Sequence, residues 1–121
     1  MDDESFMKID GFGNKSWKNK NGQFHRIGGP AFEYANGDKF WLQNDEYHRL
    51  DGPAVEYTNG YKQWCKNGKT HRLDGPAKQW PSGEKEWYKD GKRFKSKDTF
   101  FRALNKKEKE LALFSEDFLN A

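Results

Sequence analysis

With 121 residues the chain fits one domain and a short terminal extension. Only 33% of residues are apolar, which excludes a thick two-layer core, yet 17% are aromatic, which excludes a disordered chain; a thin fold cored by flat rings is expected. The formal net charge of +3 is too small, and too diluted, to be a nucleic-acid signature by itself.

Residues 1–12 form an acidic N-terminal segment expected to contain the first strand. The stretch Met1-Asp2-Asp3-Glu4-Ser5 has no apolar run after it and does not read as a secretory signal. No stretch approaches the roughly 18 apolar residues that a membrane span requires. Cys65, the single cysteine, has no internal partner, so a reducing compartment, the cytoplasm, is expected.

Residues 13–95 are a tandem repeat with a period of 23. His25-Arg26-Ile27-Gly28-Gly29-Pro30-Ala31 recurs as His48-Arg49-Leu50-Asp51-Gly52-Pro53-Ala54 and again as His71-Arg72-Leu73-Asp74-Gly75-Pro76-Ala77. Between these motifs lie Asn36-Gly37, Asn59-Gly60 and Ser82-Gly83, each followed four residues after the Gly by Trp41, Trp64 and Trp87. Gly13 and Trp17 keep that spacing and open the array with a partial unit.

Each unit reads as a β-hairpin, because Asn-Gly between β-formers suits a two-residue type I′ turn. A second turn follows each Trp strand, at Asn21-Gly22, Asn44-Asp45, Asn67-Gly68 and Asp90-Gly91. Gly-Pro marks the corner into the next hairpin, since Pro has no amide to donate within a strand. A two-residue turn at Asn59-Gly60 pairs Val55 with Trp64 and Tyr57 with Lys62. Alternation then predicts Val55, Tyr57, Lys62 and Trp64 on one face, and Ala54, Glu56, Gln63 and Cys65 on the other. The same register gives Phe32, Tyr34, Lys39 and Trp41 in the first unit, and Lys78, Trp80, Lys85 and Trp87 in the third.

Residues 96–121 change to a helical pattern, with Phe100, Phe101, Leu104, Leu111, Phe114, Phe118 and Leu119 as the apolar set. Ser96 and Asn105 are suited to N-caps, so two short helices are predicted, over 97–104 and 106–114. They form a C-terminal cap for the open end of the sheet. The predicted fold is mainly β: an elongated, single-layer antiparallel meander of hairpin repeats with a short helical cap.

The spacing of Gly, Trp, Asn-Gly-Lys and His at 23 residues resembles a variant of the MORN repeat. The His-Arg-x-Asp-Gly-Pro-Ala form is similar to repeat proteins of bacteriophages and large DNA viruses. The resemblance implies hairpins in a single-layer sheet and a role in scaffolding, protein contact or anionic-lipid contact, without catalytic residues. It also implies a phage accessory role in the host cytoplasm, such as binding and inhibiting a host defence (for example CRISPR) component.

His25, His48 and His71, with Asp51 and Asp74, invite a metal or acid–base reading. Equivalent positions about 10 Å apart along a sheet do not converge on one ion, so these residues are read as structural, satisfying backbone groups at the corner. Trp17, Trp41, Trp64 and Trp87 are read as structural repeat residues too. No cofactor is expected and no motif for an enzyme is present. Two functions remain: a protein-interaction module, or a surface that stacks nucleic-acid bases on rings and holds phosphates with Lys. The partner-binding candidates are the departures from the repeat at Asp45, Glu46, Tyr47 and Lys78, with Trp80 and Lys85 of the Lys and aromatic face and Phe114 and Phe118 of the tail.

Overall fold

The computed structural model describes residues 3–121. The chain enters with β1 (Phe6–Ile9) and β2 (Lys15–Lys18), then repeats one plan three times. The first unit holds β3 (Phe32–Glu33), β4 (Lys39–Phe40), β5 (Leu42–Gln43) and β6 (Glu46–Tyr47). The second holds β7 (Val55–Glu56), β8 (Lys62–Gln63), β9 (Cys65–Lys66) and β10 (Lys69–Thr70). The third holds β11 (Lys78–Gln79), β12 (Lys85–Lys89) and β13 (Lys92–Phe94). Nine strands form one open antiparallel sheet in the order β1-β2-β3-β4-β7-β8-β11-β12-β13. The hairpins β5–β6 and β9–β10 stand beside it as two-stranded sheets.

The two turns of each unit differ in kind. At Asn44-Asp45, Asn67-Gly68 and Asp90-Gly91 both residues have positive φ, as a two-residue type I′ turn demands. At Asn36-Gly37, Asn59-Gly60 and Ser82-Gly83 only the Gly does, at +102°, +104° and +94°. There the Gly60 amide donates to Tyr57 O at 3.0 Å and the Tyr57 amide to Tyr61 O at 3.0 Å, closing a three-residue loop with a bulge at Gly. The Asn59 side chain accepts the Tyr61 amide at 2.9 Å, and Asn36 does the same for Asp38.

This corrects the predicted register. Val55 pairs with Gln63 and Glu56 with Lys62; Phe32 pairs with Phe40 and Lys78 with Glu86. One extra loop residue slips the second strand by one position, and a slip of one moves every side chain to the opposite face. Phe40 and Tyr61 therefore join Phe32, Tyr34 and Tyr57. Lys39, Trp41, Lys62, Trp64, Lys85 and Trp87 move to the other face.

At each corner the strand starts as Pro ends. The amides of Ala31, Ala54 and Ala77 donate to Phe40 O, Gln63 O and Glu86 O at 2.8 Å, and all three methyls are fully buried.

The tail folds as three helices rather than two: α1 (Lys97–Arg102), α2 (Lys106–Leu113) and α3 (Glu116–Leu119). Ser96 and Asn105 cap the first two with reciprocal capping boxes to Thr99 and Glu108, and Ser115 caps the third. The second helix ends one residue early because Ser115 offers a new cap. Among the described residues Trp87, Phe100, Leu104, Ala112 and Phe118 make a cluster of buried side chains, so the main core lies between the last repeat and the cap. At the other end, β1 exposes Phe6, Met7 and Ile9, with Lys8 between them.

Candidate interaction surface

The corner motif builds a stack. Arg26, Arg49 and Arg72 lay their guanidinium planes over Trp17, Trp41 and Trp64 at 3.9, 3.9 and 4.0 Å from the ring centroids. From beneath, each Nη1 donates to the Pro carbonyl four residues on, at 3.2, 3.0 and 3.1 Å. The Gly before each Pro leaves room for this. A Cβ at Gly29, Gly52 or Gly75 would lie 2.7, 2.8 or 2.5 Å from the Cζ of Arg26, Arg49 or Arg72. Asp51 and Asp74 accept from Nε of Arg49 and Arg72 at 2.9 Å, whereas Gly28 leaves Arg26 without that acceptor. The aspartates thus bind the motif's own arginine rather than backbone, and the guanidinium holds the Asp51 carboxyl below its ordinary range.

Each His reaches into the next turn. Nδ1 of His25, His48 and His71 accepts the backbone amides of Asn44, Asn67 and Asp90 at 3.1, 3.0 and 2.8 Å. These amides belong to residues held in the left-handed region, so the His ring fixes the type I′ turn 19 residues later. Nδ1 accepting implies that Nε2 carries the proton. Among the described residues no group of three His, Cys, Asp or Glu could hold a metal ion.

The opposite face carries a row of rings. Phe24, Phe32, Phe40, Tyr57, Tyr61 and Trp80 follow one another across the units, with Phe40–Tyr57, Tyr57–Tyr61 and Tyr61–Trp80 centroids at 5.9, 5.3 and 5.4 Å. Tyr34 and Tyr47 flank Phe40 at 5.7 and 6.3 Å. Tyr34, Tyr47 and Tyr57 remain exposed. Partial burial pushes the Tyr61 phenol up to about 12 and raises that of Tyr47. Cys65 is buried and its thiol is pushed up to about 11 by desolvation, so it carries little thiolate at neutral pH.

The partner candidates do not assemble into one site. Asp45 sits in the β5–β6 turn, where its side chain accepts the Phe24 amide at 2.7 Å. Glu46 lays its carboxylate against Gly68 of the next turn, and Tyr47 joins the ring row. Lys78 rests over Tyr88 at 5.1 Å and Trp80 ends the row. Lys85 is exposed on the other face. Phe114 is 90% exposed, but Phe118 is 4% exposed inside the cap core and is unavailable to a partner.

The motif arginines were missed as site residues. Their signal was present: the same Arg stands after every motif His, and Trp41 and Trp64 precede Arg49 and Arg72 by the same spacing. No family model, curated protein or solved structure matches the chain.

Proposed function

We propose that the protein is a non-enzymatic protein-interaction module that presents a rigid, elongated β-surface to a macromolecular partner. The observation that carries this is the unbroken ring row, half-exposed along an open sheet. Rings supply contact area at low conformational cost, and exposed apolar strips of this kind are uncommon without a partner. The resemblance to phage repeat proteins directs the search to bacterial proteins, with defence components first, in the host cytoplasm.

The nucleic-acid alternative needs rings and cations on one face. Lys39, Lys62 and Lys85 stand on the face away from the ring row, and Lys39 and Lys62 pair in register with Glu56. Lys18, over Phe24, and Lys78, paired with Gln63, stand beside the row at its two ends, but the displacement of Lys39, Lys62 and Lys85 from it favours a protein partner over a nucleic acid.

The test is affinity capture from bacterial lysate with the immobilised full chain, beside a Tyr34→Glu/Tyr57→Glu double variant. A stoichiometric protein retained by the parent chain and lost by the variant is expected. Recovery of nucleic acid alone, released as salt rises from roughly 50 to 200 mM, would establish the alternative and overturn the proposal.

A further inference from the structure

The corner loops of the three units are built alike, but only the third is covered. Asp117 of α3 accepts from Arg72 Nη2 at 2.6 Å, and Ser115 Oγ donates to Asp74 O at 2.7 Å. Leu73 packs against the cap core. The cap thus recognises the corner with three features: a carboxylate on the outer guanidinium nitrogen, a hydroxyl on the loop carbonyl, and apolar cover over the motif's variable residue.

In the second unit the equivalents of these three positions are open. Leu50, equivalent to Leu73, is 76% exposed, and Ile27 is 51% exposed. Arg49 uses Nε on Asp51 and Nη1 on Pro53 O and Glu56; among the described residues its Nη2 makes no hydrogen bond. A groove of about 360 Å³ runs between Arg26 and Leu50, and one of about 530 Å³ continues from Leu50 to Arg72 and the cap. Both are floored by tryptophan, Trp41 in one and Trp64 in the other.

We infer that the second corner, continuous with the first, is a docking site for an acidic, apolar segment of a partner protein, bound as the chain's own cap binds the third corner. The partner places a carboxylate on Arg49 Nη2 and an apolar side chain on Leu50. At the first corner charge favours this occupant, because Gly28 leaves Arg26 without an acidic neighbour; at the second, where Asp51 and Glu56 already face Arg49, the open Nη2 donor and the exposed Leu50 favour it. This rests on the interaction reading and names where and with what chemistry it operates.

The probe is a synthetic peptide of residues 105–121, titrated into the isotope-labelled full chain and followed by NMR. Shifts are expected at the Trp41 indole and at Arg49, Leu50 and Asp51. Leu50→Glu in the chain, or Asp117→Asn in the peptide, should weaken binding about tenfold or more. Because Leu50 projects into solvent, the Leu50→Glu spectrum should otherwise match the parent. Absence of shifts, equal binding to Leu50→Glu, or shifts confined to Arg72 and Leu73 (displacement of the resident cap) would each overturn the inference. A cellular protein captured equally by the parent and Leu50→Glu removes this site but leaves the interaction reading intact. Peptide binding at Leu50 with no cellular protein captured does the reverse.

Discussion

Arg26, Arg49 and Arg72 stack on equivalent rings, but their remaining donors meet different partners. Arg26 keeps one hydrogen bond, Arg49 adds Asp51 and Glu56, and Arg72, buried, adds Asp74 and Asp117. A lysine cannot reproduce the planar stack or the fork. Arg→Lys substitutions should therefore cost about 1 kcal/mol at Arg26 and about 2–3 kcal/mol at Arg72, with Arg49 between, read as shifts in urea midpoint. His71 adds a pH dependence. Burial lowers the His71 pKa below its ordinary 6.5, with Asp90 opposing it less strongly. Protonation would also remove the acceptor for the Asp90 amide. Between the depressed value and 6.5 the unfolded chain binds a proton that the folded chain refuses, so this stability is complete above 6.5 and falls as pH drops through the window. His71→Gln should flatten the decline of thermal midpoint between about pH 7 and pH 5 relative to the parent.

Hairpins are where the sequence was most informative and also where it misled. The period, the corner and both turn positions were legible because Gly, Pro and Asn-Gly act locally. The register was not, since Gly in an Asn-Gly pair takes positive φ in either turn type, and the choice depends on whether Asn does so too. Rings could have decided it: Phe32 and Tyr34 match Phe40 and Leu42 only when the loop has three residues. Gly60 at φ +104° should be the sensitive position, with its Ala variant costing about 1–2 kcal/mol in denaturant melts. Asn67, at φ 50°, should accept Gly with little change, because its turn already demands the left-handed region. The first two helices were legible from their caps, while the third, Glu116–Leu119, lies beyond the predicted second helix and is a single turn too short to show a period. The motif arginines escaped notice as site residues because their open donors follow from which corner the tail covers, a long-range choice.

The whole molecule is asymmetric along its length. One end of the sheet is closed by the cap, where Phe100 is fully buried against Trp87 and Phe94. Phe100→Ala should cost about 3–4 kcal/mol in equilibrium unfolding and should loosen the third unit before the first, visible as earlier hydrogen exchange near β12 and β13. The other end is the exposed β1, and between them the units contain almost no large buried residue. Apart from Trp87 in the cap core, their buried apolar side chains among the described residues are Ala31, Leu42, Ala54, Val55, Cys65, Ala77 and the corner prolines Pro30, Pro53 and Pro76, and the rest of their order comes from hydrogen bonds, half-buried rings and guanidinium stacks. Unfolding such an array uncovers little hydrocarbon and much polar surface, and the two contribute to heat capacity with opposite sign. Calorimetry should therefore return a heat-capacity increment below the usual 12–15 cal/mol/K per residue. The stability curve is then broad and flat, so that cooling weakens this protein far less than it weakens a globular domain of equal length.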